Sequence, residues 1–221
     1  RLEKNMVQSI LSIGVPNGFE NGLFNFGKLL VQTLVAGLGT SAIAANAIIG
    51  SIFNIIIVPG MGMSLAILTV IGQCIGAGDY PQAISYTKKL TFVTYVAMIA
   101  VNLPVLIFSS WVVGLFPLSA EATQIAEHVM PVLAASCCII WPIAFAFPNA
   151  LRAAGDAKFS MILSTVSMWL VRFGLSYLLV MRFHLGVAGV WYGMTADWFV
   201  RAIFFLLRYR SGKWKTKVVL H

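Results

Sequence analysis

Long apolar runs, broken by short polar clusters, set the pattern of this chain. A helix needs about 20 apolar residues to cross the hydrocarbon core of a bilayer. Six runs qualify: residues 13–38, 42–75, 90–116, 129–151, 159–181 and 187–207. The second is too long for one straight span, and Pro59 with Gly60 and Gly62 predicts a kink or break inside it. The third carries Pro104, and the fourth carries Pro131, Pro142 and Pro148. The gaps carry turn chemistry. Gly76–Gln82 (GAGDYPQ) presents Gly, Asp and Pro in turn order, and Ser119 ahead of Glu121 predicts a helix start. Arg152–Lys158 is short, polar and glycine-bearing, and His184–Gly186 is the tightest connection. These signals predict an all-α integral membrane protein with six transmembrane helices over residues 13–208. Residues 209–221 form a basic cytoplasmic tail. In residues 1–12, Leu2, Met6 and Ile10 recur at i, i+4 and i+8. That spacing fits a short amphipathic helix on the membrane surface or an extension of the first span.

Composition strengthens this picture. Of 221 residues, 59% are hydrophobic and 10% charged, and the mean hydropathy is +0.89. A soluble domain carries roughly a quarter charged residues; this chain has too few to cover a surface in water. The net charge of +8 does not indicate nucleic acid, because the basic residues punctuate apolar runs and form no patch. With both termini on one side, that side holds eleven Lys and Arg: Arg1, Lys4, Lys88, Lys89, Arg152, Lys158, Arg208, Arg210, Lys213, Lys215 and Lys217. The other side holds Arg182 alone. The bias places both termini in the cytoplasm. Cys74, Cys137 and Cys138 lie in apolar runs without metal or disulfide spacing and read as packing residues. The chain opens on Arg1 without a signal peptide, as a fragment or a processed protein would.

The first span is unlike the rest. Asn17, Glu20, Asn21, Asn25, Lys28 and Gln32 cover an arc of about 140° on a helical wheel. One wet side on a membrane helix lines a cavity or a polar helix interface. Glu20 is costly there unless paired, protonated or hydrated. It therefore reads as a site that binds and releases a proton or sodium ion, or else as a partner of Lys28 or a nearby Asn that holds helices together. Asn17 and Asn21 flank it and offer carbonyl oxygens to a cation, hydrogen bonds to a substrate, or contacts between helices. Asn46 and Asn54, eight residues apart in the second run, continue the polar surface. Asp197 and Arg201 are spaced for a local ion pair, whereas Arg172 lies mid-span with no partner evident from sequence. Ser160, Ser164 and Ser167, and Gly189 with Gly193, form small-residue faces for close helix packing. Trp111, Trp191 and Trp198 read as interface or packing residues. Neither zinc-protease, P-loop nor serine-hydrolase motifs occur, and His128, His184 and His221 are scattered, so the chain is not read as an enzyme.

Five segments, in order, carry a family resemblance: VPNGFENGLF, IGQCIGAGDYPQA, LRAAGDAKF, MWLVRFGLSYLL and GVAGVWYGMTADWFVR. With them the chain resembles the carboxy-terminal half of multidrug and toxic compound extrusion (MATE) transporters. The resemblance implies one six-helix lobe of a twelve-helix protein in the cytoplasmic membrane. It implies an antiporter that exports amphipathic cationic drugs and other xenobiotics, driven by proton or sodium influx, with no cofactor beyond the coupling ion. The implied partners are the lipid bilayer, small amphipathic cations and the amino-terminal lobe, from the same parent chain or a second copy. Glu20 matches the family's first-helix acid in this lobe. One branch of the family places a second acid where Trp141 stands here and a tyrosine where Cys137 stands. Three routes remain open: Glu20 acts with Asn17 and Asn21, Glu20 takes a proton, or coupling lies in the other lobe. Asn25, Lys28, Gln32, Asn46, Asn54 and Trp141 are the candidate substrate-cavity residues. The alternatives are a flippase for lipid-linked intermediates, which expects more cations along the cavity than Lys28 and Arg172, and a non-transporting scaffold or channel module.

Overall fold

The computed structural model describes residues 22–23 and 25–216. Among these the secondary structure is helical, without strands. Helix α1 spans residues 25–36. It is followed by α2 (Thr40–Ile56), α3 (Val58–Gly76), α4 (Tyr80–Ile107), α5 (Ser109–Gly114) and α6 (Ala120–Ile139). A π-helical turn (Pro142–Ala146) leads into α7 (Pro148–Ala153). A second π-helical stretch (Met168–Phe173) joins α8 (Ala157–Ser167) to α9 (Gly174–Met181), and α10 covers Gly186–Arg210. Five helical stretches among the described residues are long and apolar enough to cross a membrane: Val58–Gly76, Tyr80–Ile107, Ala120–Ile139, Ala157–Met181 and Gly186–Arg210.

Helices outrun the apolar windows read from sequence. The third begins at Tyr80 and the fourth at Ala120, because Lys88, Lys89, Glu121 and Glu127 are good helix formers outside hydrocarbon as well. The predicted turn signals are present. Asp79 caps α4, its Oδ1 accepting from Gln82 N–H at 2.9 Å. Gly78 ends the preceding helix at φ 74°, a conformation that L side chains rarely adopt. Ser119 caps α6 by accepting from Ala122 N–H. The kink expected at Pro59 falls at Ile57. Ile57 N–H donates to Phe53 O at 3.2 Å and Met61 N–H to Ile57 O at 3.0 Å. The chain therefore bends without leaving the helix, as a residue lacking its N–H requires.

The helices pack α2 on α6, α3 on α4, α4 on α6, and α10 on α9 and its π-helical approach. Small residues set the closest approach. A Cβ at Gly193 would collide with Ser176, whose N would lie 2.9 Å away and Cα 3.1 Å, and Ser176 Oγ donates to Val190 O. Ser160, Ser164 and Ser167 are buried. The outer faces are apolar: Leu65, Phe92, Trp111, Ile139 and Leu170 are each at least 67% exposed. Only 17% of the most apolar window of Tyr80–Ile107 is buried. Hydrocarbon is the solvent that such faces require.

One end of the bundle is tied down. Asp156, at the α7–α8 turn, accepts from Arg208 Nε at 2.7 Å and Nη2 at 3.1 Å. The Arg208 guanidinium also lies 4.7 Å from the Phe159 ring. After α10, the turn Lys213–Thr216 folds Trp214 onto Tyr209, the rings stacked 5.2 Å apart, so the tail begins anchored. The three cysteines are buried and free, as their apolar runs predicted.

Filling the α9–α10 contact should loosen the bundle. Gly193→Val is expected to destabilise it by about 1–3 kcal/mol, read as a lower thermal midpoint in detergent. Gly72→Ala, where a Cβ meets nothing within 4 Å, should leave the midpoint unchanged or raise it.

Candidate functional site

A cavity of about 510 Å³ opens on one face of the bundle. Three breaks in helical regularity contribute to it. Ile57 lies at the α2–α3 kink, Phe145 in the first π-helical turn and Arg172 in the second, and all three line the cavity. A π turn widens the hydrogen-bonding interval, here Phe147 N–H to Pro142 O at 2.9 Å, and re-aims the side chains it carries. Pro142 and Pro148 lack the N–H groups that would restore the regular register.

The wall is aromatic. Trp141 stacks on Phe145 at 5.3 Å, Phe145 meets Trp198 edge-on at 5.6 Å, and Trp198 stacks on Phe53 at 5.6 Å. These rings come from the 139–148 bend, α10 and α2. Trp141 reaches this place because Gly60 has no side chain: a Cβ there would strike the indole and lie 2.8 Å from Met98 Sδ. Asn54, Ser64 and Asn149 add polar groups, and Lys28, Arg152 and Arg172 add positive charge. No Asp or Glu lies among the described residues lining the cavity.

Behind this wall sits a buried ionic cluster. Asp197 accepts from the Ser167 hydroxyl and from Arg201 Nε at 2.9 Å. Both Asp197 and Arg201 are almost fully buried. Arg201 lies over the Phe145 ring, 5.7 Å from its centre. Arg172, whose partner was not evident from sequence, directs Nη2 to the Met194 sulfur at 2.8 Å. Its Nε, Asp197 Oδ2 and Arg201 Nη2 are buried without a hydrogen-bond partner.

Of the candidate residues read from sequence, Lys28, Asn54 and Trp141 line the cavity. Asn46 and Gln32 serve a helix junction instead. Asn46 Nδ2 donates to Gln32 Oε1 at 3.2 Å, and Trp191 Nε1 donates to Asn46 Oδ1 at 3.1 Å. Asn25 is exposed and outside this lining. Glu20, Asn17 and Asn21 lie outside the described residues. Sequence reading missed Arg152, which was assigned to a cytoplasmic loop, and the rings Phe53, Phe145 and Trp198 as cavity walls. The stripe Phe145, Asn149, Arg152, at i, i+4 and i+7, was the available signal for Arg152.

Residues 16–178 match the family model described as MatE. The chain belongs to the MatE family. It is an integral membrane protein of a family of transporters, and not an enzyme. It is 26% identical over 213 residues to the probable multidrug resistance protein NorM of Thermotoga maritima, covering 96% of this chain and 46% of that protein. It is 29% identical over 219 residues to the uncharacterized transporter YisQ of Bacillus subtilis, covering 98% and 47%. The MatE chain thus spans about half the length of the curated relatives it matches. Its fold superposes on the crystal structure of MATE in the bent conformation with a TM-score of 0.84 at 20% identity, over 97% of this chain and 48% of that one. It superposes equally on the transporter ClbM in complex with Rb+, at 0.84 and 20% identity, over 97% and 51%. The all-α membrane lobe read from sequence is therefore the fold found, with five apolar spans among the described residues.

The ionic cluster should be brittle. Asp197→Ala leaves Arg201 buried without its counter-charge and is expected to cost about 3–5 kcal/mol of stability. Asp197→Leu combined with Arg201→Met should recover part of that loss. Thermal denaturation of all three forms in detergent checks it; a single variant as stable as wild type would refute the assignment.

Proposed function

We propose that this MatE lobe is one half of a cation-coupled antiporter that exports amphipathic drugs and other xenobiotics across the cytoplasmic membrane. The observation that carries the reading is the open cavity. Its aromatic wall offers broad, geometry-tolerant contact to flat apolar bodies, and it lies at the helix irregularities, where discontinuous helices place transporter sites. The relatives named multidrug resistance proteins support the same activity.

The coupling ion is a proton or sodium, and Glu20 carries it with Asn17 and Asn21. Asp197 is already matched by Arg201 and Ser167, which makes it a structural charge. The Rb+ complex of ClbM supports a monovalent-cation step on this fold. The resemblance to cationic-drug exporters raises a constraint. Cationic substrates would need counter-charge from Glu20 or from the facing lobe, because the described lining supplies none. That facing lobe comes from the same parent chain or from a second copy. In this reading both ends of the chain lie in the cytoplasm, with residues 1–12 an inter-lobe linker or amphipathic helix and 209–221 a basic tail.

Vesicles holding the parent protein, loaded with dye and placed under imposed proton or sodium gradients, test the proposal. One gradient should drive export, and Glu20→Gln should reduce it by about tenfold or more. Export that neither gradient drives would remove the antiporter reading, and export unchanged by Glu20→Gln would remove Glu20 from it.

A further inference from the structure

The charge on the cavity wall points to a substrate class. Lys28 on α1, Arg152 in the last turn of α7 and Arg172 on the second π-helical stretch reach the same space from three elements. Among the described residues no carboxylate faces them there. The nearest buried acid, Asp197, gives Oδ1 to Ser167 and Arg201; its Oδ2 makes no hydrogen bond, to Arg172 or otherwise, and it does not line the cavity. Arg172, Arg201 and Asp197 together hold one more positive charge than negative, and of the three only Arg172 lines the cavity.

Arg172 is the decisive residue. Its Nη2 meets a thioether sulfur, a weak acceptor, and its Nε is buried without an acceptor. A guanidinium in a membrane span is costly and is retained where it meets an anion or a wet cavity. Its planar fork matches the oxygens of phosphate, sulfonate or carboxylate. Arg152, whose Nη1 contacts Asn149 Oδ1 at 3.5 Å, and Lys28 are exposed at the cavity mouth, where they attract an anion and shape its approach.

We propose that this cavity takes amphipathic anions, with the acidic head at Arg172, Lys28 and Arg152 and the apolar body along Trp141, Phe145 and Trp198. The proposal rests on the reading of this chain as an exporter lobe and names the substrate class of that lobe's cavity. The anion comes either from the membrane, as a lipid phosphate, or from water, as an organic acid; the recognising chemistry is the same.

A matched pair of probes tests the sign of charge. The parent protein in nanodiscs of neutral phosphatidylcholine is titrated with 1-pyrenebutyrate and with the trimethylammonium compound bearing the same pyrenebutyl body. Pyrene anisotropy and quenching of tryptophan emission report binding. The anion should bind about tenfold or more tightly than the cation, and added salt should weaken it. Lys28→Gln and Arg152→Gln should each weaken the anion several-fold, and Arg172→Gln should weaken it most. Arg172→Lys should retain part of the affinity, since charge survives and the fork does not. Lys28 and Arg152 are exposed, so their variants should keep the wild-type melting midpoint. Equal or tighter binding of the cation overturns the proposal. So does unchanged anion affinity in the folded Lys28→Gln/Arg152→Gln double variant. Adding phosphatidate to the nanodiscs separates the sources: displacement of pyrenebutyrate assigns a lipid phosphate, and no displacement assigns a water-borne acid, each with the anion site intact. Selective anion binding that no ion gradient converts into export would remove the exporter reading and leave the site standing. Gradient-driven export of the cationic probe without anion binding would do the reverse.

Discussion

A backbone immersed in hydrocarbon must satisfy its own hydrogen bonds, and the rest of this structure follows from how the chain does so while still bending. A straight helix offers side chains at a fixed pitch and cannot converge them on one point. Here the pitch is broken at Ile57, at Pro142–Ala146 and at Met168–Phe173. At each break the backbone stays bonded, through Met61 N–H to Ile57 O or through the longer Phe147 N–H to Pro142 O. Each delivers a residue to one cavity: Ile57, Phe145 and Arg172.

Charge is handled by the same economy of place. Asp197 and Arg201 neutralise each other one turn apart on α10, and Ser167 on α8 donates to the same carboxylate oxygen. That cluster fixes α10 against α8 and the first π-helical turn. It also supports Trp198 and Phe145 from behind, so the aromatic wall is held by an electrostatic anchor that does not itself face the cavity. The wall's own cations, Lys28, Arg152 and Arg172, border the cavity itself.

Much of the fold was legible because it depends on local signals. Apolar run length, Pro59, Gly78, Asp79 and Ser119 each act within a few residues of where they stand, and each appears where the pattern placed it, the kink within two residues. The GxxxG spacing at Gly189 and Gly193 was legible because close helix approach leaves no other choice of side chain. The site was less legible. Lys28 and Asn54 were found because polar residues stand out within apolar runs, and Trp141 because the family resemblance marks its position. Asn46 and Gln32 stand out equally, yet they bond each other and Trp191. Helical periodicity gives the face a residue is on and not the helix it meets. Arg152 was lost because its neighbours in sequence are loop residues, while its helix still carries it back to Phe145 and Asn149.

The corner formed by Asp156, Arg208, Phe159 and Tyr209 has a mechanical meaning. A bidentate ion pair, a guanidinium on a ring and the Phe147–Tyr209 contact at 4.9 Å weld the α7–α8 turn to the end of α10. Parts joined so firmly behave as a single lever arm. These contacts couple the final turns of α10 to α7, and with it to Arg152 at the rim of the cavity. The place where this lobe can flex then lies elsewhere, at the π-helical turns whose hydrogen bonds span a longer interval.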